Sequence, residues 1–99
     1  MLWDDSKSRK ENVVKTLQVL SMLNAEAIAA CLANGEIEIQ HLNIIKRYEL
    51  AALKYCLRLL LAKPEEDVSL NEDLAKRVRH LLKLETAIEH FTKTRNPNG

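Results

Sequence analysis

The chain is 46% hydrophobic and 29% charged over 99 residues, and it contains only 2 Gly and 2 Pro. This composition is that of an ordinary globular domain, and it excludes a fibrous, a wholly disordered or a membrane-embedded chain. The 15 basic and 14 acidic residues leave a formal net charge of +1, so no overall field gathers nucleic acid or an anionic membrane.

The first predicted helix runs from about Ser8 to Leu23. Ser8 and Glu11 have the spacing of a capping box, in which the serine hydroxyl accepts a hydrogen bond from the backbone three residues on. Three apolar residues follow at helical spacing: Val13, Leu17 and Leu20. We therefore expect an amphipathic helix here.

A short second helix is predicted from Ala25 to about Ala33. Asn24 has the side chain of a good N-cap, and Glu26 stands where the helix dipole favours an acid. Gly35 supplies the left-handed conformation that commonly ends a helix.

The third predicted helix is long, from about Ile37 to Ala62. It stops before Pro64 because the residue that precedes a proline is disfavoured in a helix. Its polar side is a narrow stripe: Asn43, Lys46, Arg47, Lys54 and Arg58. A helix that is apolar around most of its circumference is usually buried, so we expect several neighbours to cover it.

The fourth predicted helix runs from about Leu70 to Lys93. Ser69 and Glu72 repeat the capping-box spacing at its start, and the acidic residues 65–67 before it are expected to form a turn. Its apolar residues recur along one side: Leu74, Val78, Leu81, Ile88 and Phe91.

These elements predict one all-α domain over residues 1–99, a bundle of about four helices in which two short ones precede two long ones. The ends, about 1–7 and 94–99, are expected to be flexible. The two long helices leave apolar surface that one chain does not cover, so we expect the bundle to form a homodimer.

Motifs of common enzymes are missing from the sequence. It contains no glycine-rich phosphate loop, no Gly-x-Ser-x-Gly elbow, and no His-Glu-x-x-His or Cys-x-x-Cys pair of metal ligands. We therefore predict a protein that is not an enzyme, with no catalytic residues, cofactor or metal site. Cys31 and Cys56 both lie in apolar helical patterns and are expected to be reduced, buried thiols of a cytoplasmic protein. No membrane span is expected, because Lys54 and Arg58 interrupt the most apolar run.

The densest basic cluster lies on the fourth helix and is the candidate site for a protein partner. Its members are Lys76, Arg77, Arg79, His80 and Lys83. Such a cluster fits an acidic protein surface or a nucleic-acid backbone. The alternative is a solvated helix face that Glu72 and Asp73, one turn earlier, partly neutralise.

Glu85 is a candidate for a contact across an interface. It lies close to the apolar side of the fourth helix, where an unpaired buried carboxylate is costly. Either this edge of the helix is exposed, or Glu85 meets a lysine or arginine of another chain. Lys54 and Arg58 on the third helix complete this set of interface candidates.

The region 25–47 resembles the helix-turn-helix motif of repressor-type DNA-binding proteins. Five residues have the spacing at which that motif packs its two helices: Ile28, Ala29, Leu32, Ile39 and Leu42. The resemblance implies DNA reading by four residues at the start of the third helix: Gln40, His41, Asn43 and Lys46. Two features depart from the motif, since Ala33 stands where a turn glycine is expected, and Glu36 and Glu38 would repel phosphates.

The sequence thus leads to two predicted functions. The first is a small helical protein that acts by binding another macromolecule, as an adaptor, a regulator, an inhibitor or a small subunit. The alternative is a DNA-binding regulator that reads DNA with residues 25–47 and dimerises through its long helices.

Overall fold

The computed structural model describes residues 2–62 and 68–95, and every regular element in these ranges is an α-helix. The helices are α1 (Arg9–Leu20), α2 (Ala25–Ala33), α3 (Ile39–Ala62) and α4 (Val68–Arg95). Two short helices followed by two long ones confirm the all-α architecture predicted from the sequence. Residues 96–99 of the predicted flexible end lie outside the described ranges.

Side-chain caps begin the two short helices, as the sequence predicted. The Ser8 hydroxyl accepts a hydrogen bond from the Glu11 N–H at 3.1 Å, and the Asn24 side-chain oxygen accepts one from the Ala27 N–H at 2.8 Å. Each cap satisfies one of the backbone donors that a helix start leaves free. Gly35, with a φ of +75°, provides the left-handed residue after α2.

Several predicted boundaries differ from the observed ones by two or three residues. α3 begins at Ile39 rather than Ile37, and α4 extends to Arg95 rather than Lys93. α1 ends at Leu20 rather than near Leu23, because the chain then continues in tighter turns whose hydrogen bonds span three residues. α4 already includes Val68, so Ser69 lies inside the helix and does not cap its start. The predicted acidic turn at 65–67 lies outside the described residues.

The two long helices pack along each other, and each short helix packs chiefly against a different one of them. α2 lies against α4, and α1 lies against α3. The buried core they share is built largely from aliphatic side chains: Val13, Leu20, Ile28, Leu32, Ile37, Leu42, Ile45, Leu84 and Ala87. Close packing of these side chains provides the main stabilisation of the fold.

The halves of α3 and α4 that lie nearest their connection form a hairpin with little core of its own. From Leu50 to the end of α3, Cys56 is the one fully buried residue. Between residues 69 and 83 of α4, no side chain is fully buried. Much of the hairpin surface therefore meets solvent.

The residues before α1 pack onto the bundle through Trp3. The Trp3 side chain is 8% exposed, and its ring stacks on the His41 imidazole with centroids 4.5 Å apart and planes 2° from parallel. The Asp4 N–H donates to Asn12 Oδ1 at 2.8 Å, and Asn12 Nδ2 donates back to the Asp4 carbonyl at 2.7 Å. The expectation that residues 1–7 are flexible took no account of these contacts.

Candidate functional site

A buried ion cluster joins α3 to α4 at Glu49. The Glu49 side chain is 3% exposed, and each of its carboxylate oxygens has a partner on α4. Arg77 Nη1 donates to Oε1 at 2.9 Å, and His80 Nδ1 lies 3.2 Å from Oε2. A carboxylate without partners is costly to bury, so Arg77 and His80 allow Glu49 to occupy this position.

The Arg77 guanidinium is only partly satisfied by this cluster. Its side chain is 31% exposed, and its Nε–H is buried with no hydrogen-bond acceptor in the part of the chain that the structure describes. A cleft beside the cluster lies between α1 and α4, and its lining includes Leu17, Gln18, Ser21 and Lys76. Because both oxygens of Glu49 are already engaged, the carboxylate is not free to act as a base towards a molecule in this cleft.

Lys83 ties α4 to the end of α1. Its ammonium group donates to three backbone carbonyls there: Leu20 at 3.4 Å, Ser21 at 3.3 Å and Leu23 at 2.9 Å. Carbonyls at a helix C-terminus lack partners within the helix, and a cation there also interacts favourably with the helix dipole. Lys83 therefore caps α1 from a neighbouring helix.

We expect Lys83→Met to lower the free energy of unfolding by about 1 to 2 kcal/mol, because it removes charged hydrogen bonds to these carbonyls. Methionine keeps most of the aliphatic side chain, so little packing is lost. Lys76→Met, at an exposed position of the same helix, is the matched control and should change stability by under about 0.5 kcal/mol. Urea unfolding followed by circular dichroism measures both variants, and equal effects would refute the capping role of Lys83.

These contacts separate the predicted basic cluster of α4 into residues that bind groups of the same chain and residues that are exposed to solvent. Three of its members bind groups within the chain: Arg77, His80 and Lys83. Arg77 pairs with Glu49 rather than with the nearby Asp73. Two members are exposed: Lys76 and Arg79. Much of the positive charge in this cluster therefore serves to hold α1 and α3 against α4.

The interface candidate Glu85 has a partner in its own chain. Its side chain is 58% exposed, and one carboxylate oxygen lies 3.6 Å from Lys46 Nζ. Exposed ion pairs of this kind contribute about 0 to 1 kcal/mol to stability. The other two candidates, Lys54 and Arg58, are exposed on α3. Glu85 thus lies on an exposed helix edge, the first of the two alternatives that the sequence left open.

The predicted DNA-reading residues at the start of α3 have different environments. His41 is buried beneath Trp3, and its Nδ1 accepts a hydrogen bond from the Glu38 N–H at 3.3 Å. Gln40 donates to the Glu38 carboxylate at 2.6 Å, and Asn43 is exposed. His41 is therefore not available to contact a base. In addition, α2 packs chiefly on α4, whereas a helix-turn-helix motif packs its two helices on each other.

Both cysteines are free thiols in the structure. Cys56 is buried and Cys31 is half-buried. Burial, together with a hydrogen bond to the neighbouring Glu36 carboxylate, raises the pKa of the Cys31 thiol. Because the thiolate is the reactive form of cysteine, this environment disfavours reaction at Cys31.

A double row of exposed side chains runs along α3. Leu50, Leu57 and Leu61 are 44%, 43% and 84% exposed. Each of these leucines follows an exposed basic residue by three positions, the bases being Arg47, Lys54 and Arg58. Residues three apart are neighbours on a helix surface, so the leucines and the bases form adjacent rows. We name these six residues the basic–leucine stripe.

Two apolar residues of α4 extend this surface. Val78 and Leu82 are 38% and 60% exposed, and Glu85 follows them on the same side of α4. Lys46, the partner of Glu85, lies one turn before Leu50 on α3. The ion pair therefore places Val78 and Leu82 near Leu50, the first leucine of the stripe.

The sequence predicts uncovered apolar surface on the two long helices and offers Lys54 and Arg58 as interface candidates, but Leu50, Leu57 and Leu61 are not singled out there. A signal was nevertheless present in the spacing. The leucines occupy positions i, i+7 and i+11, and the three bases repeat the same spacing three residues earlier. Both sets lie within about 40° of arc on a regular helix, so each forms a row.

Comparison with known proteins identifies no relative of this chain. It matches no protein-family model, and searches of curated proteins and of solved structures find nothing similar. Neither long helix, over its described residues, combines the length and apolar character needed to cross a membrane. The case for a function therefore rests on the chemistry of the surfaces described above.

Proposed function

We propose that this protein is not an enzyme and acts by binding another protein chain, as an adaptor, a regulator, an inhibitor or a small subunit. The observation that carries this proposal is the exposure of Leu50, Leu57 and Leu61 in one row along α3. The exposed Val78 and Leu82 on α4 continue the apolar surface. The three leucines form an apolar row on the solvent side of α3, a side that could otherwise have been polar.

The physical basis is the cost of leaving this surface in water. Fully burying a leucine side chain contributes about 1.5 to 3 kcal/mol, and four of the five apolar residues here are leucines with substantial exposure. Contiguous apolar patches with a polar margin are typical of protein interaction sites. The bases Arg47, Lys54 and Arg58 supply that margin along one side.

A pull-down with the tagged full chain tests this function. We expect the wild-type chain to retain a protein in stoichiometric amount from nuclease-treated lysate, and Leu57→Ser to lose it. Met22→Ser is the matched control, because Met22 is 84% exposed but lies outside both long helices. No retained protein, or equal retention by both variants, would contradict the proposal.

The homodimer and the cytoplasmic location predicted from the sequence belong to the same proposal. A homodimer would sediment with twice the mass of one chain, before and after nuclease treatment. This measurement leaves open which surface the two copies share. The effect of Leu57→Ser on the mass shows whether that surface includes the basic–leucine stripe.

The DNA-binding alternative stays a prediction that the same preparation tests. If α3 read DNA, the wild-type chain would shift duplex DNA at low salt, and Asn43→Ala would weaken the shift. The exposed Glu36 and Glu38 lie next to this end of α3 and repel phosphates. We therefore expect no shift at low salt.

A further inference from the structure

The basic–leucine stripe has a repeated spacing of bases and leucines, and this spacing indicates which chemical groups a partner would need. Three base-to-leucine steps follow one another along α3: Arg47 to Leu50, Lys54 to Leu57 and Arg58 to Leu61. The stripe spans 14 residues between its ends, which corresponds to about 21 Å of helix. A ligand that contacted all three leucines and all three bases would need a row of apolar groups and a parallel row of negatively charged groups, each of about this length.

The positive row has no ion-pair partner among the described residues. Glu49 is the one acidic residue of α3, and it is buried with both carboxylate oxygens bound to α4. Arg47, Lys54 and Arg58 form no ion pair or side-chain hydrogen bond across the described ranges. The complementary ligand therefore carries a row of negative charge beside its apolar row.

A helix satisfies these requirements with ordinary geometry. An amphipathic helix of about four turns presents leucines at i, i+3, i+4 and i+7, and acids on the adjoining side. Such a helix can lie along the stripe with its apolar side on Leu50, Leu57 and Leu61. Its acids then lie beside the basic row of α3.

Within the described residues, the two long helices of a second copy do not offer this pattern. Pairing α3 with α3 would set basic residues beside basic residues. On α4, Glu85 and Glu89 lie beside the exposed Leu82, but Glu85 is paired with Lys46. Glu72 and Asp73 stand about three turns away, so the exposed acids of α4 form no row as long as the stripe. The predicted homodimer is accordingly assigned to another surface.

We propose that the basic–leucine stripe binds an acidic amphipathic helix of a different protein. This inference rests on the proposed function and adds the chemistry of the partner to it. The leucines provide the affinity by burial, and the bases select for acids and orient the bound helix. The complex should therefore be sensitive to ionic strength as well as to loss of a leucine.

Fluorescence anisotropy with the full chain and three labelled peptides tests the proposal. The first peptide is a helix of about 15 residues with a leucine row and a glutamate row. The second has lysine in place of every glutamate, and the third has serine in place of every leucine. We expect only the first to bind in the micromolar range, and salt near 0.5 M to weaken it by screening.

Two charge-reversed variants of the protein locate the binding site. Lys54→Glu with Arg58→Glu should lower the affinity for the first peptide by about tenfold, because two charge attractions become repulsions. Arg79→Glu with Lys93→Glu makes the same change in net charge at exposed positions of α4 and should leave the affinity within about twofold. Circular dichroism of both variants checks that they are folded.

The outcomes separate this inference from the function on which it rests. Equal binding of the glutamate and lysine peptides would overturn it, as would dissociation of a homodimer by Leu57→Ser, since the occupant would then be a second copy. If the wild-type chain bound vesicles that contain phosphatidylserine and the Lys54→Glu, Arg58→Glu variant did not, the ligand of the stripe would be a lipid surface, and the proposal would be overturned. Failure of all three peptides, with the Leu57-dependent lysate partner retained, would overturn the acidic helix and leave protein binding in place.

Discussion

Replacing Glu49 by Gln should lower the free energy of unfolding by about 3 kcal/mol. The amide keeps the shape of the side chain but removes the negative charge that compensates Arg77 and faces His80. Breaking a buried ion pair from one side costs about 3 to 5 kcal/mol, because the remaining charge stays uncompensated. Arg77 is 31% exposed, so water screens part of this effect and the lower end of the range applies. Urea unfolding followed by circular dichroism gives the value.

Glu85→Gln is the matched control for this substitution. It changes the same atoms in an ion pair whose carboxylate side chain is 58% exposed, and it should cost under about 0.5 kcal/mol. The double variant Glu49→Leu, Arg77→Met removes both charges and should be more stable than Glu49→Gln alone. If Glu49→Gln costs no more than Glu85→Gln, the buried cluster does not hold α3 against α4.

Trp3→Ala should destabilise the fold by a similar amount, about 3 kcal/mol. Trp3 is 8% exposed and stacks on His41, so truncation removes a large buried side chain and leaves a cavity beside the imidazole. Trp3 is the single tryptophan of the sequence, which makes its fluorescence a direct report on this segment. We expect fluorescence and circular dichroism of the wild-type chain to give the same urea midpoint.

Tyr55→Ala is the control for the loss of an aromatic side chain. Tyr55 is 63% exposed, and its truncation should change stability by under about 0.5 kcal/mol. An unchanged midpoint for Trp3→Ala would mean that residues 1–7 are flexible, as the sequence alone suggested. A fluorescence transition well before the circular dichroism transition would mean the same.

Features that depend on near neighbours in the sequence could be predicted. Ser8 and Asn24 cap their helices through hydrogen bonds to residues three positions away, and Gly35 ends α2 through its own backbone conformation. The periodicity of apolar residues gave four helices of the right relative lengths. Such signals are local, so one sequence contains all the information that they need.

Features that depend on tertiary pairing could not be predicted. Glu49 meets Arg77 and His80 across 28 and 31 residues of sequence, and Lys83 reaches carbonyls about 60 residues before it. A basic cluster on a helix has the same sequence pattern whether it faces solvent or the end of another helix. Only the packing of α4 against α1 and α3 decides which of these bases are engaged.

The outer face of α3 likewise combines a feature that the sequence predicts with one that depends on tertiary packing. The sequence indicates a long helix that is apolar around most of its circumference and whose apolar surface one chain does not cover completely, but it does not say which residues stay exposed. In the structure, α1 and α2 pack near the other end of the hairpin, and Leu50, Leu57 and Leu61 are exposed. The number of helices that pack on α3 depends on the fold of the whole chain. Here α1 and α4 pack on α3, and the face that carries Leu50, Leu57 and Leu61 is left exposed.

The central claim, that the basic–leucine stripe binds a different protein, is tested most directly by site-specific cross-linking. A photoreactive benzoyl-phenylalanine replaces Leu57 in one sample and Met22, which is 84% exposed and lies outside both long helices, in the other. We expect the Leu57 probe to cross-link to one other protein, within an acidic helical segment identified by mass spectrometry, and the Met22 probe to give no such product. The claim would be contradicted if the Leu57 probe reacted only with copies of its own chain or with nucleic acid, or if both probes gave the same products.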